Sequence, residues 1–281
     1  MKNKTIGYIY SDKKLTKDEK AFIKIAKKRK VNLIMINLLQ GLEEKELEEK
    51  VKNCDIFYNN SAEDFALEIV KTIEELGKKV IDSSKTFYYT EDKWMFYLKC
   101  REHKIPVPQT ILLSEDLNLI KKELIDFNYW PVIIKRVYGT TGNYVEKADN
   151  PKEAIKIINK FWKKSSERFP IIAQEFIPSS SYRVTTVGQK IVQTAIKKSN
   201  SWKATGVYAH NIGKFKVDKN LKPIIKKLIK FSGINVCGID LLKKGDSWFV
   251  LEINAQPGLD FFENQREVIV EHVFKLLESK I

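Results

Sequence analysis

The sequence predicts an α/β domain followed by a larger α+β region, and three observations carry this prediction. Over the first 88 residues, short apolar runs rich in β-branched residues alternate with amphipathic stretches. Such alternation is typical of a parallel sheet covered by helices on both faces. Further along, a strand leads into a glycine loop, and the final third contains two apolar hairpins. Both features are typical of antiparallel pairing.

In the first domain, the third helical stretch has apolar side chains at a spacing of three or four residues: Phe65, Ile69, Ile73 and Leu76. Gly77 follows as an end signal. The motif GxGxxG is absent, so a dinucleotide site is not indicated. We predict strands at 5–10, 31–38, 55–58 and 79–81, and helices at 16–29, 43–52 and 62–76.

The rest of the chain divides into a central and a final region. In the central region, we predict a helix at 91–102 with Thr90 as its N-cap, a helix from 114, and a helix from Pro151 to 164. The central strands are expected at 110–113, 132–137, from Tyr144, and at 171–177. The final region should contain hairpins 183–187/191–196 and 238–242/248–254, with helices at 223–231 and 264–279. The predicted domains are residues 1–88, 89–177 and 178–281.

The composition excludes several classes of protein. The chain has 281 residues, of which 43% are hydrophobic and 31% charged, which fits one to three compact domains. No apolar run approaches the roughly 20 residues that span a bilayer, and the first ten residues lack a signal-peptide core. We therefore expect a soluble, cytoplasmic protein with no membrane partner. The three cysteines form no CxxC pair and the three histidines are isolated, which argues against zinc and against a Ser-His-Asp triad.

The formal net charge of +14 has two interpretations. It can reflect a lysine-rich solvated surface, or it can attract anions such as nucleotides and acidic substrates. Lysines stand beside glutamates on predicted helices, as at 43–46 and 121–123, and this favours the solvated surface. Clustered arginines and exposed aromatic platforms are missing, which argues against a nucleic-acid partner.

The last hairpin carries the strongest chemical signal. Glu252 and Asn254 lie two residues apart on one strand, so their side chains face the same way. A tight turn near Gly245 would bring Asp240 on the partner strand opposite them. Three converging oxygen ligands suit Mg²⁺. Taken alone, the same residues fit an ordinary hairpin with a polar outer face equally well.

A second signal is Lys135, which ends a strand just before the loop Gly139, Thr140, Thr141 and Gly142. In such a loop, backbone N–H groups can approach phosphate oxygens closely, and the lysine supplies a point charge. The pattern GxxxxGK[ST] is absent, so this is not the loop of P-loop NTPases. For this segment alone, a plain hairpin with a surface lysine is the better interpretation.

Two weaker signals remain. Lys93 falls in the first turn of a predicted helix, where a cation opposes the macrodipole, although it also fits a harmless surface lysine. The strand through Gln174, Glu175, Phe176 and Ile177 turns from polar to apolar and could present backbone groups to an adenine edge.

In this order and spacing, the segments resemble the ATP-grasp superfamily, and most closely its RimK-type glutamate ligases. The most specific part is Gly-Ile-Asp-Leu-Leu at 238–242, followed by Leu-Glu-Ile-Asn-Ala-Gln-Pro-Gly-Leu at 251–259. The resemblance covers about residues 88–281. It implies an ATP-grasp fold behind a Rossmann-like amino-terminal domain. It also implies an ATP- and Mg²⁺-dependent carboxylate–amine ligase that works through an acyl-phosphate.

The resemblance also implies particular residue roles. Lys93 and Lys135 would hold the phosphates, and Arg183 would meet the transferred phosphoryl group. Lys203 falls near a basic position of the family. The remaining roles are a flap over the phosphates (Gly139, Thr140, Thr141, Gly142), an adenine pocket (Gln174, Glu175, Phe176, Ile177) and ligands for two Mg²⁺ ions, which Mn²⁺ could replace (Asp240, Glu252 shared, Asn254). Separately, we expect Arg266, early in the last helix, to grip an acceptor carboxylate.

The resemblance leaves the substrates open. An amino acid such as glutamate would be added to a peptide, a coenzyme or a small amine. A small-molecule kinase on the same fold and a basic nucleic-acid-binding protein are the alternatives, and homo-oligomers are not excluded. The sequence departs from the family pattern at Tyr144, where a glycine is usual, at Ser181, where an acidic residue is frequent, and at Thr205, where asparagine is common.

Overall fold

The computed structural model describes residues 4–139, 142–164, 167–199, 202–203, 211–259 and 261–281. Within these ranges the chain forms one parallel sheet and two antiparallel sheets. Along the same ranges, no helix combines the length and the apolar character needed to cross a bilayer.

The first sheet is parallel, as predicted, with strand order β2-β1-β3-β4. Helix α1 begins with a capping box, in which Thr16 and Glu19 satisfy each other's backbone N–H groups. Apolar side chains of α1, α2 and α3 cover the sheet. The elements are β1 (Thr5–Tyr10), α1 (Lys17–Arg29), β2 (Asn32–Asn37), α2 (Glu44–Asn53), β3 (Ile56–Asn59), α3 (Asp64–Glu75) and β4 (Val80–Ile81).

Two helices follow where the sequence predicted one. Helix α4 covers Ser84–Thr90 and helix α5 covers Lys93–Glu102. The assignment of Thr90 as N-cap is therefore wrong, since Thr90 ends α4. Asp92 caps α5 instead, because its carboxylate accepts a hydrogen bond of 2.8 Å from the backbone N–H of Met95. The predicted domain boundary at 88 lies inside α4, and the domain boundaries stay a prediction.

The central sheet is antiparallel with the order β5-β8-β6-β7. Two helices pack on one of its faces through a core that includes Ile120, Leu124, Ile158 and Phe161. The elements are β5 (Thr110–Leu112), α6 (Leu117–Phe127), β6 (Val132–Arg136), β7 (Val145–Ala148), α7 (Pro151–Lys163) and β8 (Ile171–Glu175).

The last sheet is also antiparallel, with the order β11-β10-β9-β12-β13. Helix α8 buries Leu221, Ile225 and Leu228 against one face of this sheet. The elements are β9 (Ser181–Val187), β10 (Lys190–Lys198), β11 (Asn211–Gly213), α8 (Leu221–Ser232), β12 (Val236–Lys244), β13 (Ser247–Asn254) and α9 (Arg266–Glu278).

The carboxyl-terminal helix contacts the amino-terminal part of the chain. Helix α9 packs against α1 and the first sheet, with the rings of Phe22 and Phe274 5.8 Å apart. Ion pairs surround this contact, among them the pair between Arg29 and Glu271. A second attachment is the buried carboxylate of Asp82 after β4, which accepts hydrogen bonds from the N–H groups at the start of β12. The first sheet is thus fixed to the sheet that carries the candidate metal ligands.

Candidate functional site

One face of the last sheet is polar and carries the predicted site residues. Arg183 on β9 lies directly opposite Asp240 on β12, and Asp240 lies opposite Glu252 on β13. Directly paired residues of neighbouring strands point to the same face of a sheet. The expected pairing of Asp240 with Glu252 across the hairpin is therefore found, and Arg183 joins the same row.

A β-bulge turns Glu252 onto this face. The register shifts so that Asp240 pairs with Glu252, while the next residue, Leu241, pairs with Val250. Leu251 is the extra residue. Val250 and Ile253 lie three apart, yet both belong to the apolar cluster under α8. A regular strand would put them on opposite faces. The bulge therefore allows both to pack under α8 while Glu252 points to the other face of the sheet.

Asp240 is buried and surrounded by hydrogen-bond donors. The guanidinium of Arg183 donates to both carboxylate oxygens, through Nε to Oδ1 at 2.7 Å and through Nη2 to Oδ2 at 2.6 Å. Asn254 Nδ2 donates to Oδ2 at 3.2 Å, and Lys197 Nζ to Oδ1 at 3.4 Å. Burial alone would raise the pKa of Asp240, but the charges of Arg183 and Lys197 hold it below its usual value.

Gly238 leaves the space that Arg183 occupies. A Cβ built at this position would lie 2.2 Å from Nη1 of Arg183. Any other residue would therefore push the guanidinium away from Asp240. Packing therefore explains the glycine of the Gly-Ile-Asp segment, because Arg183 on the adjacent strand fills the space that a side chain would need.

Glu252 and Asn254 face a cavity beside this row. The carboxylate of Glu252 makes no hydrogen bond or ion pair with any part of the chain that the structure describes. Among those residues, no group of three or more His, Cys, Asp or Glu side chains is placed to hold a metal ion. Glu252 and Asn254 instead offer a carboxylate and an amide to the cavity, hard oxygen donors that fit Mg²⁺ when phosphate oxygens complete the shell.

The cavity lies between the central and the last sheet. Its volume is about 1160 Å³, part of which is open to solvent. One part of the wall is apolar and another carries cations and the two oxygen donors. The lining includes Glu91, Lys93, Ile133, Lys135, Gly139, Gly142, Val145, Gln174, Glu175, Phe176, Ile177, Ser181, Trp202, Lys203, Leu242, Leu251, Glu252 and Asn254.

Lys135 is a buried cation inside this cavity. Its Nζ donates to Oε1 of Gln174 at 2.9 Å, and Gln174 in turn donates to the hydroxyl of Thr110. Burial is the main cause that lowers the pKa of Lys135 to about 8; the carboxylate of Glu252 opposes this shift and the charge of Lys93 adds to it. The site thus holds a cation whose charge an incoming anion would stabilise.

Lys93 lies at the base of the glycine loop. Its Nζ donates to the backbone oxygen of Gly139 at 2.6 Å. Gly139 and Gly142 have φ values of 131° and 74°, a region that favours glycine. The predicted flap residues Thr140 and Thr141 lie outside the described residues, as does Thr205.

Tyr144 has φ of 52° and therefore occupies the left-handed region. The guanidinium carbon of Arg136 lies 3.4 Å from the centre of its ring, and the ring of Phe161 meets it edge-on at 5.4 Å. These contacts offset the backbone strain. The strain at Tyr144 is thus compensated by contacts with β6 and α7.

All four predicted adenine residues line the cavity. The carboxylate of Glu175 accepts a hydrogen bond from the backbone N–H of Gln109, while Phe176 and Ile177 continue the strand end. The ring of Trp202 meets Phe176 edge-on at 6.4 Å. Lys203 lines the cavity beside Trp202.

Arg266 is not brought together with the other predicted residues. It begins α9 and its Nε donates to the carboxylate of Asp18 on α1, at the contact between the first and last helices. This position gives no support to the prediction that Arg266 binds the carboxylate of an acceptor substrate.

Sequence reasoning missed Lys197, the second cation on Asp240. The two-residue period of the strand could have revealed it, because Gln193, Ala195 and Lys197 are spaced two apart and lie on one face of β10. Ala195 pairs with Arg183, so Lys197 shares the face of the row.

Known proteins resemble the chain in sequence and in structure. Residues 90–278 match the family described as the RimK-like ATP-grasp domain. A relative from Haemophilus influenzae named "Probable alpha-L-glutamate ligase" is 26% identical over 200 residues, which cover 69% of this chain. The match spans 65% of the length of that relative.

Two solved structures superpose on nearly the whole chain. A RimK domain protein ATP-grasp from Sphaerobacter thermophilus has a TM-score of 0.77 at 15% identity, covering 96% of this chain and 98% of its own. D-alanine–D-alanine ligase from Bacillus anthracis complexed with ATP has a TM-score of 0.74 at 15% identity, covering 98% and 96%. At this identity the likeness establishes the fold, which is ATP-grasp. Since the family match covers most of the chain, the protein belongs to the RimK-like ATP-grasp domain family.

Proposed function

We propose that this protein is an ATP- and Mg²⁺-dependent ligase that joins a carboxylate to an amine. One observation carries the proposal: the buried cation Lys135 and the oxygen donors Glu252 and Asn254 line one cavity, formed between two antiparallel sheets. A lysine suits nucleotide phosphates, and carboxylate and amide oxygens suit the magnesium that accompanies them. Membership of the family supports the same reading.

The residues support specific roles in binding. We assign Lys93 and Lys135 to the phosphates, and Gln174, Glu175, Phe176 and Ile177 to the adenine end of the cavity. Lys203, with Gly139 and Gly142, would close over the phosphates. Magnesium bound at Glu252 and Asn254 would neutralise phosphate charge and fix the orientation of the γ-phosphoryl group.

The proposed chemistry has two balanced steps. A substrate carboxylate oxygen attacks the γ-phosphorus, the bond to the β–γ bridging oxygen breaks, and ADP leaves with that electron pair. The nitrogen of a neutral amine then attacks the acyl carbon, the carbon–oxygen bond to the phosphate breaks, and the amine releases a proton to solvent. Arg183, which Asp240 holds in the row beside Glu252, would offset the charge of the transferred group.

The name of one relative suggests a substrate class. Because it is called a probable alpha-L-glutamate ligase, we propose an amino acid such as glutamate as one substrate. The other would be a peptide, a coenzyme or a small amine.

The test is a screen of amino acids and amine acceptors for ADP release, with products identified by mass. We expect release that requires an acid and an amine together, and a product heavier than the acceptor by one acyl group. Glu252→Ala should abolish release while the fold is retained.

A second candidate, a small-molecule kinase on the same fold, would release ADP with one substrate alone and yield a phosphorylated product. Salt-sensitive retention on RNA or DNA that Glu252→Ala leaves unchanged, without ADP release, would favour the basic nucleic-acid-binding alternative.

A further inference from the structure

Lys197 is a buried cation that the proposed roles leave unused. It lies on β10, pairs with Ser181 on β9, and its side chain is only 4% exposed. Its ammonium has two partners among the described residues, the carboxylate oxygen Oδ1 of Asp240 at 3.4 Å and the ring of Phe261 at 5.8 Å.

A buried ammonium needs an anion, and Asp240 is the anion that Lys197 contacts. Asp240 has no free side left for another cation. Its Oδ1 accepts from Arg183 and Lys197, and its Oδ2 from Arg183 and Asn254. A carboxylate offers about four lone-pair positions, and four donors use them here.

The local charge leads to the same conclusion. Arg183 and Lys197 contribute two positive charges, while Asp240 and Glu252 contribute two negative charges. A divalent ion on Asp240 would sit against two cations with little access to water, because the side chains of Arg183 and Lys197 are only 13% and 4% exposed. Glu252, which has no ion-pair partner among the described residues and faces the cavity, has no such obstacle.

We propose that Lys197 takes the place on Asp240 that one of two metal ions would occupy. The site then binds a single divalent ion with each nucleotide, through Glu252 and Asn254. Asp240 acts as the counter-ion that positions Arg183 and Lys197. This inference rests on the proposed function and departs from the two ions that the family resemblance implies.

The test counts Mn²⁺ ions bound per chain in the presence of a non-hydrolysable ATP analogue, by electron paramagnetic resonance of free Mn²⁺. The wild type should bind one ion. Lys197→Met, which keeps the length of the side chain and removes its charge, should bind two. Lys197→Gln provides the same change with a polar side chain if the methionine variant folds poorly. Lys198→Met, which removes an exposed neighbouring charge, should bind one.

Two ions in the wild type would overturn this inference alone. One ion in both Lys197 variants, with nucleotide still bound, would show that Lys197 does not set the count and would also overturn it. No Mn²⁺ bound with the analogue in the wild type would overturn the proposed function and this inference together.

Discussion

The guanidinium of Arg183 and the carboxylate of Asp240 form a two-pronged contact across strands β9 and β12, with both hydrogen bonds at 2.7 Å or less. Arginine matches a carboxylate in this geometry because its N–H groups form a planar fork. The contact lies next to Glu252, which pairs with Asp240 and lines the cavity. Gly238 makes it possible by leaving room for the guanidinium.

Asp240→Asn should destabilise the fold strongly. It leaves the largely buried Arg183 and the buried Lys197 without a counter-charge, and breaking a buried pair in this way costs about 3–5 kcal/mol. Urea unfolding followed by circular dichroism measures the loss. Glu252→Gln is the matched control and should change the free energy of unfolding by less than about 1 kcal/mol, because Glu252 has no partner among the described residues. Equal losses in the two variants would show that Asp240 does not act as the counter-ion of Arg183 and Lys197.

Nucleotide binding should take up a proton near pH 8. The pKa of Lys135 is lowered to about 8, so about half of the free protein carries a neutral lysine at that pH. Phosphates favour the charged form, so a proton is bound with the nucleotide, and affinity should fall as the pH rises through about 8. Calorimetry in two buffers of different ionisation enthalpy measures the uptake.

Lys135→Arg is the control for this uptake. Its guanidinium stays charged throughout the same pH range, so the proton uptake near pH 8 should disappear. Identical binding enthalpies for the wild type in the two buffers would show that Lys135 does not titrate on binding.

The sequence predicted the row of oxygen donors because the required information is local. Glu252 and Asn254 are separated by one strand period, and a short turn at Gly245 returns the chain to Asp240. The bulge at Leu251 escaped prediction, since it depends on Val250 and Ile253 both packing under α8. The parallel sheet and both hairpins were likewise evident from period and turn residues.

Contacts between distant parts of the chain could not be read from the sequence. Lys197 is one of 50 lysines and arginines, and its side chain meets Asp240 and Phe261, which lie more than 40 residues away in the sequence. Arg266 lies on a helix that packs against α1 rather than in the cavity, which depends on how α9 meets the first sheet. The separate helix α4 also has no clear periodic signal, because it is only 7 residues long.

Asp82 should make stability depend on pH. Burial raises its pKa to about 6, although three N–H groups of Asn235 and Val236 favour the charged carboxylate. Since the folded-state pKa lies above the unfolded value of about 4, the folded protein binds more protons between these values. The contribution of Asp82 to stability should therefore fall by about 2–3 kcal/mol as the pH rises from about 4 to 7.

Asp82→Asn removes this titration while preserving the shape of the side chain. Subtracting the unfolding free energy of the variant from that of the wild type, at each pH, isolates the contribution of Asp82. A difference that stays constant from about pH 4 to 7 would show that Asp82 has an ordinary pKa in the folded protein.

Substitutions at Tyr144 should separate backbone strain from side-chain contacts. Tyr144→Ala loses the contacts with Arg136 and Phe161 but keeps a left-handed backbone. Tyr144→Gly loses the same contacts and relieves the strain, so it should be more stable than the alanine variant by about 1 kcal/mol. Tyr144→Phe keeps the stacking and should remain near the wild type. Thermal melting of the three variants checks this order, and an alanine variant as stable as the glycine variant would contradict it.

The most direct test of carboxylate activation is an isotope-transfer experiment with the acid that the substrate screen identifies. The acid is labelled with ¹⁸O in both carboxylate oxygens and incubated with ATP, Mg²⁺ and the amine. We expect the released phosphate to carry one ¹⁸O atom, because a carboxylate oxygen attacks the γ-phosphorus and leaves with the phosphate. Phosphate without label, formed together with the amide product, would contradict activation of the carboxylate by ATP.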